Sequence, residues 1–392
     1  MASSMPETRT TAIACRYTLD GGKDVEQLIE GHQQLIANEV QTLISKDHLS
    51  ALIMIGGYAR GEGGYRYRQG RPEPYNDYDY FVVVRGVSRK VARRLQGQLS
   101  SLAEALEKSV GVEVDLAILR QETLPGSPST LMFAEMVQGH RILAGDPNVL
   151  SLLRPMPLDE LSLGEFTRLM LNRGALLLIN QQMLATEQPL SAVAREQFLK
   201  YAFKAVLASG DAYLATRGLY HPLYQTKWQR LKAIEEELPT GFVTLYADAM
   251  EAKFHPEYER YALLDLNAYQ KYIIRTWRDA LVALEEARLG RRVQDWVAYA
   301  SPSVAKGQSN DGVRSLLRNL AITLRDYGPR EILANLAWSR RYPRERLISV
   351  LPVILGEHKA VDQPMVRQAL AMMTGDPAAV EHAFLSQWHR YA

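Results

Sequence analysis

The chain has 392 residues, 47% of them hydrophobic and 23% charged, which is enough for two or three globular domains that each bury a core. Lys and Arg number 46 against 44 Asp and Glu, a formal charge of +2, so the chain as a whole lacks the basic excess of a nucleic-acid coat protein or a membrane-surface binder. A single cysteine, Cys15, excludes an intramolecular disulfide and any Cys-rich zinc site, and without an apolar stretch near the roughly 20 residues of a membrane span the chain reads as soluble and cytoplasmic.

In chain order, a short strand is expected from Ile13 to Thr18, ended by Gly21-Gly22. The apolar spacing Val25, Leu28, Ile29, Leu35, Ile36, Val40, Leu43 and Ile44 then predicts an amphipathic helix. Ala51 to Ile55 is an apolar run closed by Gly56-Gly57, the pattern of a buried strand entering a turn. A polar, Gly-rich link rich in Tyr and Arg (63–71) follows, read as a solvated surface loop over the alternative that its alternating Tyr and Arg side chains stack on and pair with a nucleotide, an acceptor or RNA. Tyr80 to Val84 predicts a second strand, Val91 to Leu106 a helix, and Val112 to Leu119 a third strand. After Gly145-Asp146-Pro147 helical periodicity takes over. Phe166 to Leu184 and Phe198 to Val206 mark two helices, and further ones are expected near 240–252, 259–290, 312–327, 329–340 and 345–356. The polar segment 301–312 is the best linker candidate. The expected fold class is α+β, an α/β module with a small mixed sheet, followed by an all-α helical domain. The expected division is 1–150, 151–300 and a helical extension over 301–392.

Asp77 and Asp79 are two apart on the approach to a strand, so their carboxylates fall on one side while Tyr78 and Tyr80 point away. Two adjacent negative groups repel unless a cation lies between them, and Mg²⁺ suits an oxygen pair that leaves room for water and substrate phosphates. On the third strand Glu113 and Asp115 share a face. If it continues the Asp77/Asp79 face, three carboxylates could hold one or two ions. Gly56 and Gly57, without side chains, would let backbone N–H groups approach a phosphate, and Arg60 could add a charge-assisted contact. None of the eight histidines has metal-ligand spacing, and His140 and His221 are read as structural or exposed.

Gly56-Gly57-Tyr58-Ala59-Arg60-Gly61-Glu62, then Asn76-Asp77-Tyr78-Asp79-Tyr80-Phe81-Val82-Val83-Val84, then Val114-Asp115-Leu116, resembles the DNA polymerase β-type nucleotidyltransferase superfamily. Its pattern is a Gly-Gly or Gly-Ser turn, a strand carrying two acidic residues, and a third acidic strand residue. The small bacterial members, among them aminoglycoside adenylyltransferases and minimal nucleotidyltransferases, are similar in following this module with helices. The resemblance covers about residues 45–150 and includes Arg141 to Pro147, which is similar to the segment that closes the catalytic module. It departs at Gly57, where many members have a phosphate-contacting serine, at the long Tyr/Arg-rich link, and at the polar Asn76.

What the resemblance implies is a Mg²⁺-dependent transfer of a nucleoside monophosphate, AMP from ATP being favoured, onto an acceptor hydroxyl with release of pyrophosphate. Asp77 and Asp79 would bind metal and triphosphate, and Asp115 would bind a second metal or take the acceptor's proton. Gly56, Gly57 and Arg60 would cradle phosphates. The helical domain would close over the nucleotide, with Lys204 and Lys227 as candidate phosphate ligands. A small-molecule acceptor is favoured, RNA or protein are compatible, and no membrane partner is expected. The alternatives are a nucleotide-binding or antitoxin-like regulator on the same fold without efficient catalysis, and a plain helical scaffold.

Overall fold

The computed structural model describes residues 17–186, 189–306, 313–356, 364–372 and 376–391. Cys15 and most of the strand expected from Ile13 lie outside them, but Thr18 does form a single parallel bridge with Gly63. The chain divides into two compact units. The first comprises residues 1–128, 135–155 and 254–256, and the second comprises 129–134, 156–253 and 257–392. The segments proposed as 151–300 and 301–392 thus fall almost wholly in the second.

The first unit begins with helix α1, Lys23–Leu43, which supplies Val25, Ile29, Ile36 and Val40 to the core. Strand β1, Leu49–Ile55, follows and runs straight into a single helical turn, α2, Gly56–Ala59. The link read as a loop is a β-hairpin, β2 (Tyr65–Arg68) against β3 (Arg71–Pro74). Its turn is Gln69-Gly70, both with positive φ (53° and 76°), the conformation that matches the twist of a two-residue hairpin. Strand β4, Tyr78–Val84, helix α3, Arg89–Val110, and strand β5, Val114–Arg120, then complete the predicted order. Ser88 caps α3 by accepting the Val91 N–H at 3.3 Å, and Gly111 ends it in the left-handed region. Helix α4, Leu131–Gln138, and strand β6, Arg141–Gly145, close the sequence of elements.

The sheet order is β5-β4-β1-β6, with β4 and β5 parallel and β1 antiparallel to both β4 and β6. This mixed sheet followed by helices is the α+β arrangement expected. One face, carrying Leu52, Met54, Tyr80, Val82 and Leu116, belongs to the same core as the apolar residues of α1 and of α3, where Leu99 and Leu106 are buried. Burying each such aliphatic side chain is worth about 1.5–3 kcal/mol, which is what outweighs the cost of fixing two long helices beside four strands.

In the second unit, α5 (Leu163–Thr186), α6 (Ala192–Ala215), α7 (Tyr224–Ala233), α8 (Phe242–Phe254) and α9 (Leu266–Leu289) are followed by α10 (Trp296–Tyr299), α11 (Val313–Tyr327), α12 (Pro329–Ala334) and α13 (Leu336–Ser339). Three more, α14 (Pro343–Ile354), α15 (Pro364–Leu370) and α16 (Pro377–Tyr391), end the chain. Trp277 of α9 is buried, and its indole donates to the Met170 carbonyl of α5 at 3.0 Å. A Cβ at Gly174 would meet that indole at 2.5 Å, so α5 and α9 pack closely there. Of the proposed linker, residues 301–306 are described and packed. Val304 and Lys306 are buried, and the Lys306 ammonium donates to the Ser301 and Val304 carbonyls. Among the described residues no helix is long and apolar enough to cross a membrane.

Candidate functional site

Strand alternation puts Asp79, Phe81 and Val83 of β4 on one face and Tyr78, Tyr80 and Val82 on the other. The tyrosines point away from Asp79, as expected. Tyr78 and Tyr80 are buried, with the Tyr80 hydroxyl donating to Gln33 Oε1 at 2.5 Å and the Tyr78 hydroxyl 3.1 Å from His32 Nδ1. Burial holds the His32 imidazole below its ordinary pKa and both phenols well above theirs.

On the opposite face Ala51, Ile53, Phe81 and Val83 are buried, and the face turns polar only at its end. There the parallel register pairs Asp79 with Asp115, and the antiparallel register pairs Asp79 with Ile55. Asp79 therefore has Asp115 beside it on one neighbouring strand, and Gly56 just beyond its partner on the other. Gly56 has φ 78°, and a Cβ there would lie 2.9 Å from Asp79 Oδ2, so this position needs glycine for its backbone and for its space. Asp77 is half-buried and stands just before β4, while Asp115 is exposed. Like charges side by side on adjacent strands are unfavourable, by about 0.2–1 kcal/mol on the scale of cross-strand pairs, and a bound cation would reverse the sign.

The donor set is oxygen only. Among the described residues no three His, Cys, Asp or Glu side chains are grouped closely enough to share one ion. The fit is thus to a site with one or two protein carboxylates and the remaining positions supplied by water and substrate phosphate, which is how Mg²⁺ is commonly held.

Sequence reasoning missed Tyr58. Buried under the glycine turn, its hydroxyl donates to the Gly64 carbonyl at 2.6 Å and accepts the N–H groups of Tyr75 (3.0 Å) and Asn76 (3.2 Å). Asn76 Oδ1 in turn accepts the Gly64 N–H at 2.5 Å. The polar Asn76 thus closes the base of the hairpin and sets the approach of the chain to Asp77. The hairpin's outer face is held by Tyr65 on Asp20 (3.2 Å) and Tyr67 on Asp24 (2.9 Å), while Glu73 pairs with Arg66 at 3.5 Å. Replacing Tyr58 by phenylalanine is expected to destabilise the first unit by about 1–3 kcal/mol, since the Asn76 N–H loses its acceptor while the Tyr75 N–H and the Gly64 carbonyl keep only their bond to each other at 3.0 Å. Hydrogen exchange checks this, with the Asn76 amide accelerated more in the variant than the Tyr75 amide, which keeps the Gly64 carbonyl.

Arg60 is held at the other side of the turn. It is nearly buried, makes an ion pair with Glu135 of α4 at 3.5 Å, and lies where a side chain on Gly139 would clash with it. Lys204 and Lys227 belong to the second unit. Lys204 is half-buried on α6. Lys227 is buried, with its ammonium 2.7 Å from Asp211 and within 4.7 Å of the Tyr220 and Tyr224 ring centres. That pairing accounts for Lys227 without a phosphate. Of the histidines, His140 Nδ1 lies 3.0 Å from the Met136 carbonyl. His221 accepts the Leu223 N–H at 3.1 Å, and burial, then Arg230 and Lys227, hold its pKa below the ordinary value.

Comparison with protein-family models, with curated proteins and with solved structures gives no match for this chain.

Proposed function

We propose that the first unit carries a magnesium-dependent nucleotidyltransferase site that moves AMP from ATP onto an acceptor hydroxyl. The observation that supports this best is the in-register pair Asp79 and Asp115 at the polar end of a buried sheet face, with Gly56 against Asp79. Asp77 and Asp79 would hold the ion. Magnesium, when bound, supplies charge neutralisation for the triphosphate.

Asp115, exposed beside Asp79, is the group that takes the acceptor's proton. The acceptor oxygen then bonds to the α-phosphorus, the bond from that phosphorus to the bridging oxygen breaks, and pyrophosphate leaves. Gly56 and Gly57 leave the backbone open to the phosphates. Arg60 contributes a charge-assisted contact by exchanging Glu135 for a phosphate oxygen. Every group in this chemistry belongs to the first unit, and Lys204 and Lys227 take no part in it. A small hydroxylated molecule is the favoured acceptor.

Thermal denaturation with ATP, GTP, CTP or UTP, each with and without Mg²⁺, tests the donor half. ATP with Mg²⁺ is expected to stabilise the protein by about 2.7 kcal/mol at a hundred times its dissociation constant. The stabilisation should vanish in Asp77→Asn/Asp79→Asn. No shift with any nucleotide would contradict the reading.

A further inference from the structure

The second unit contains a cleft of about 540 Å³ between α5, α9 and the residues that follow α14. Its size is that of a site for a small molecule. We propose that it binds a small organic anion that carries an apolar body and an N–H or O–H donor. The inference rests on the second unit alone and stands or falls separately from nucleotidyl transfer.

Three cations line the cleft, Lys271, Arg275 and Arg278, at steps of four and three along α9, which places them on one face of that helix. Like charges at this spacing cost a few tenths of a kcal/mol per pair. Asp279 of the same helix interacts with Arg275 and Arg278 and offsets part of that cost, and an anion beside the three cations would remove the rest. Among the described residues the carboxylate in the lining is Glu381 of α16, which accepts from Gln181 Nε2 at 3.4 Å. Arg278 has its guanidinium carbon 5.7 Å from the centre of the Trp296 ring, so its orientation is supported from the side. A charge excess gathered on one wall of a concave site selects for the opposite charge in the ligand.

The donor requirement comes from Gln270. It also lines the cleft and is 4% exposed, and its Nε2 donates to the Leu177 carbonyl at 2.7 Å. That bond fixes which end of the amide is which. Oε1 is left with no hydrogen-bond partner among the described residues. A buried acceptor in that state costs about 1–3 kcal/mol, and a ligand N–H or O–H would recover it. Leu184, Ile274 and Leu355 supply the apolar part of the lining.

Anilinonaphthalene sulfonate has all three features, a sulfonate, an N–H and apolar rings, and its fluorescence reports binding. N-phenylnaphthylamine keeps the rings and the N–H but has no charge. With the full chain, the sulfonate should bind saturably. Lys271→Gln/Arg275→Gln changes two exposed side chains and leaves the helix packing alone. It should weaken the sulfonate about tenfold, the loss of about 1.4 kcal/mol, and change the neutral amine less than about twofold. Ile274→Trp, which fills the cleft, should weaken both probes. No saturable sulfonate binding, or unchanged affinity in Lys271→Gln/Arg275→Gln, would overturn the proposal.

Discussion

Replacing Asp79 by asparagine is expected to lower nucleotidyl transfer about a thousandfold, the scale on which transfer reactions lose rate when one preorganised electrostatic group is removed. The same change should leave the melting temperature unchanged or slightly raised. Asn is isosteric with Asp, and Asp79 lies in register with Asp115, so the substitution removes a like-charge neighbour from the sheet. Activity falling while stability holds is the signature of a residue kept for chemistry. A residue kept for structure behaves the other way, and full transfer by the variant would exclude Asp79 from the site. The measurement is transfer rate and thermal denaturation on the same preparation.

Lys227→Met is expected to do the reverse. It takes the cation from a buried ion pair and leaves Asp211 without its 2.7 Å partner, a change that typically costs about 3–5 kcal/mol. The two nearby tyrosine faces lose a cation as well, which adds to the loss. Adding Asp211→Asn in the double variant should recover most of the stability, because the buried charge goes with its partner. Chemical denaturation of the two variants decides it. If Lys227 served instead as a phosphate ligand, the single variant would lose nucleotide affinity at unchanged stability.

The helices and the two apolar strands could be read because their signal is local. Spacing along α1 and α3 marks the faces that enter the core, and the runs before Gly56 and after Asp79 are long enough to be buried strands. What pairs with what was not local. That Asp79 lies opposite Asp115 depends on β4 and β5 running parallel, with α3 between them in sequence, and no periodicity states that register. The hairpin was hidden by Arg-Pro-Glu-Pro in β3, which looks like a loop because proline seldom enters strands, and by a Gln-Gly turn in place of the usual Asn-Gly. Arg60 looked available for a phosphate because Glu135, its partner, is far along the chain. Lys227 and Asp211 were each visible as charges near helices, but only the packing of α7 on α6 joins them in a buried pair.

The chemistry proposed for the Asp77, Asp79 and Asp115 site is transfer of a nucleoside monophosphate. ATP labelled at its α-phosphate, incubated with the protein, Mg²⁺ and a panel of hydroxylated acceptors, tests it most directly. Label is expected on an acceptor together with an equal amount of pyrophosphate, both lost in Asp79→Asn. Label remaining on the nucleotide with every acceptor, or release of inorganic phosphate in place of pyrophosphate, would contradict it.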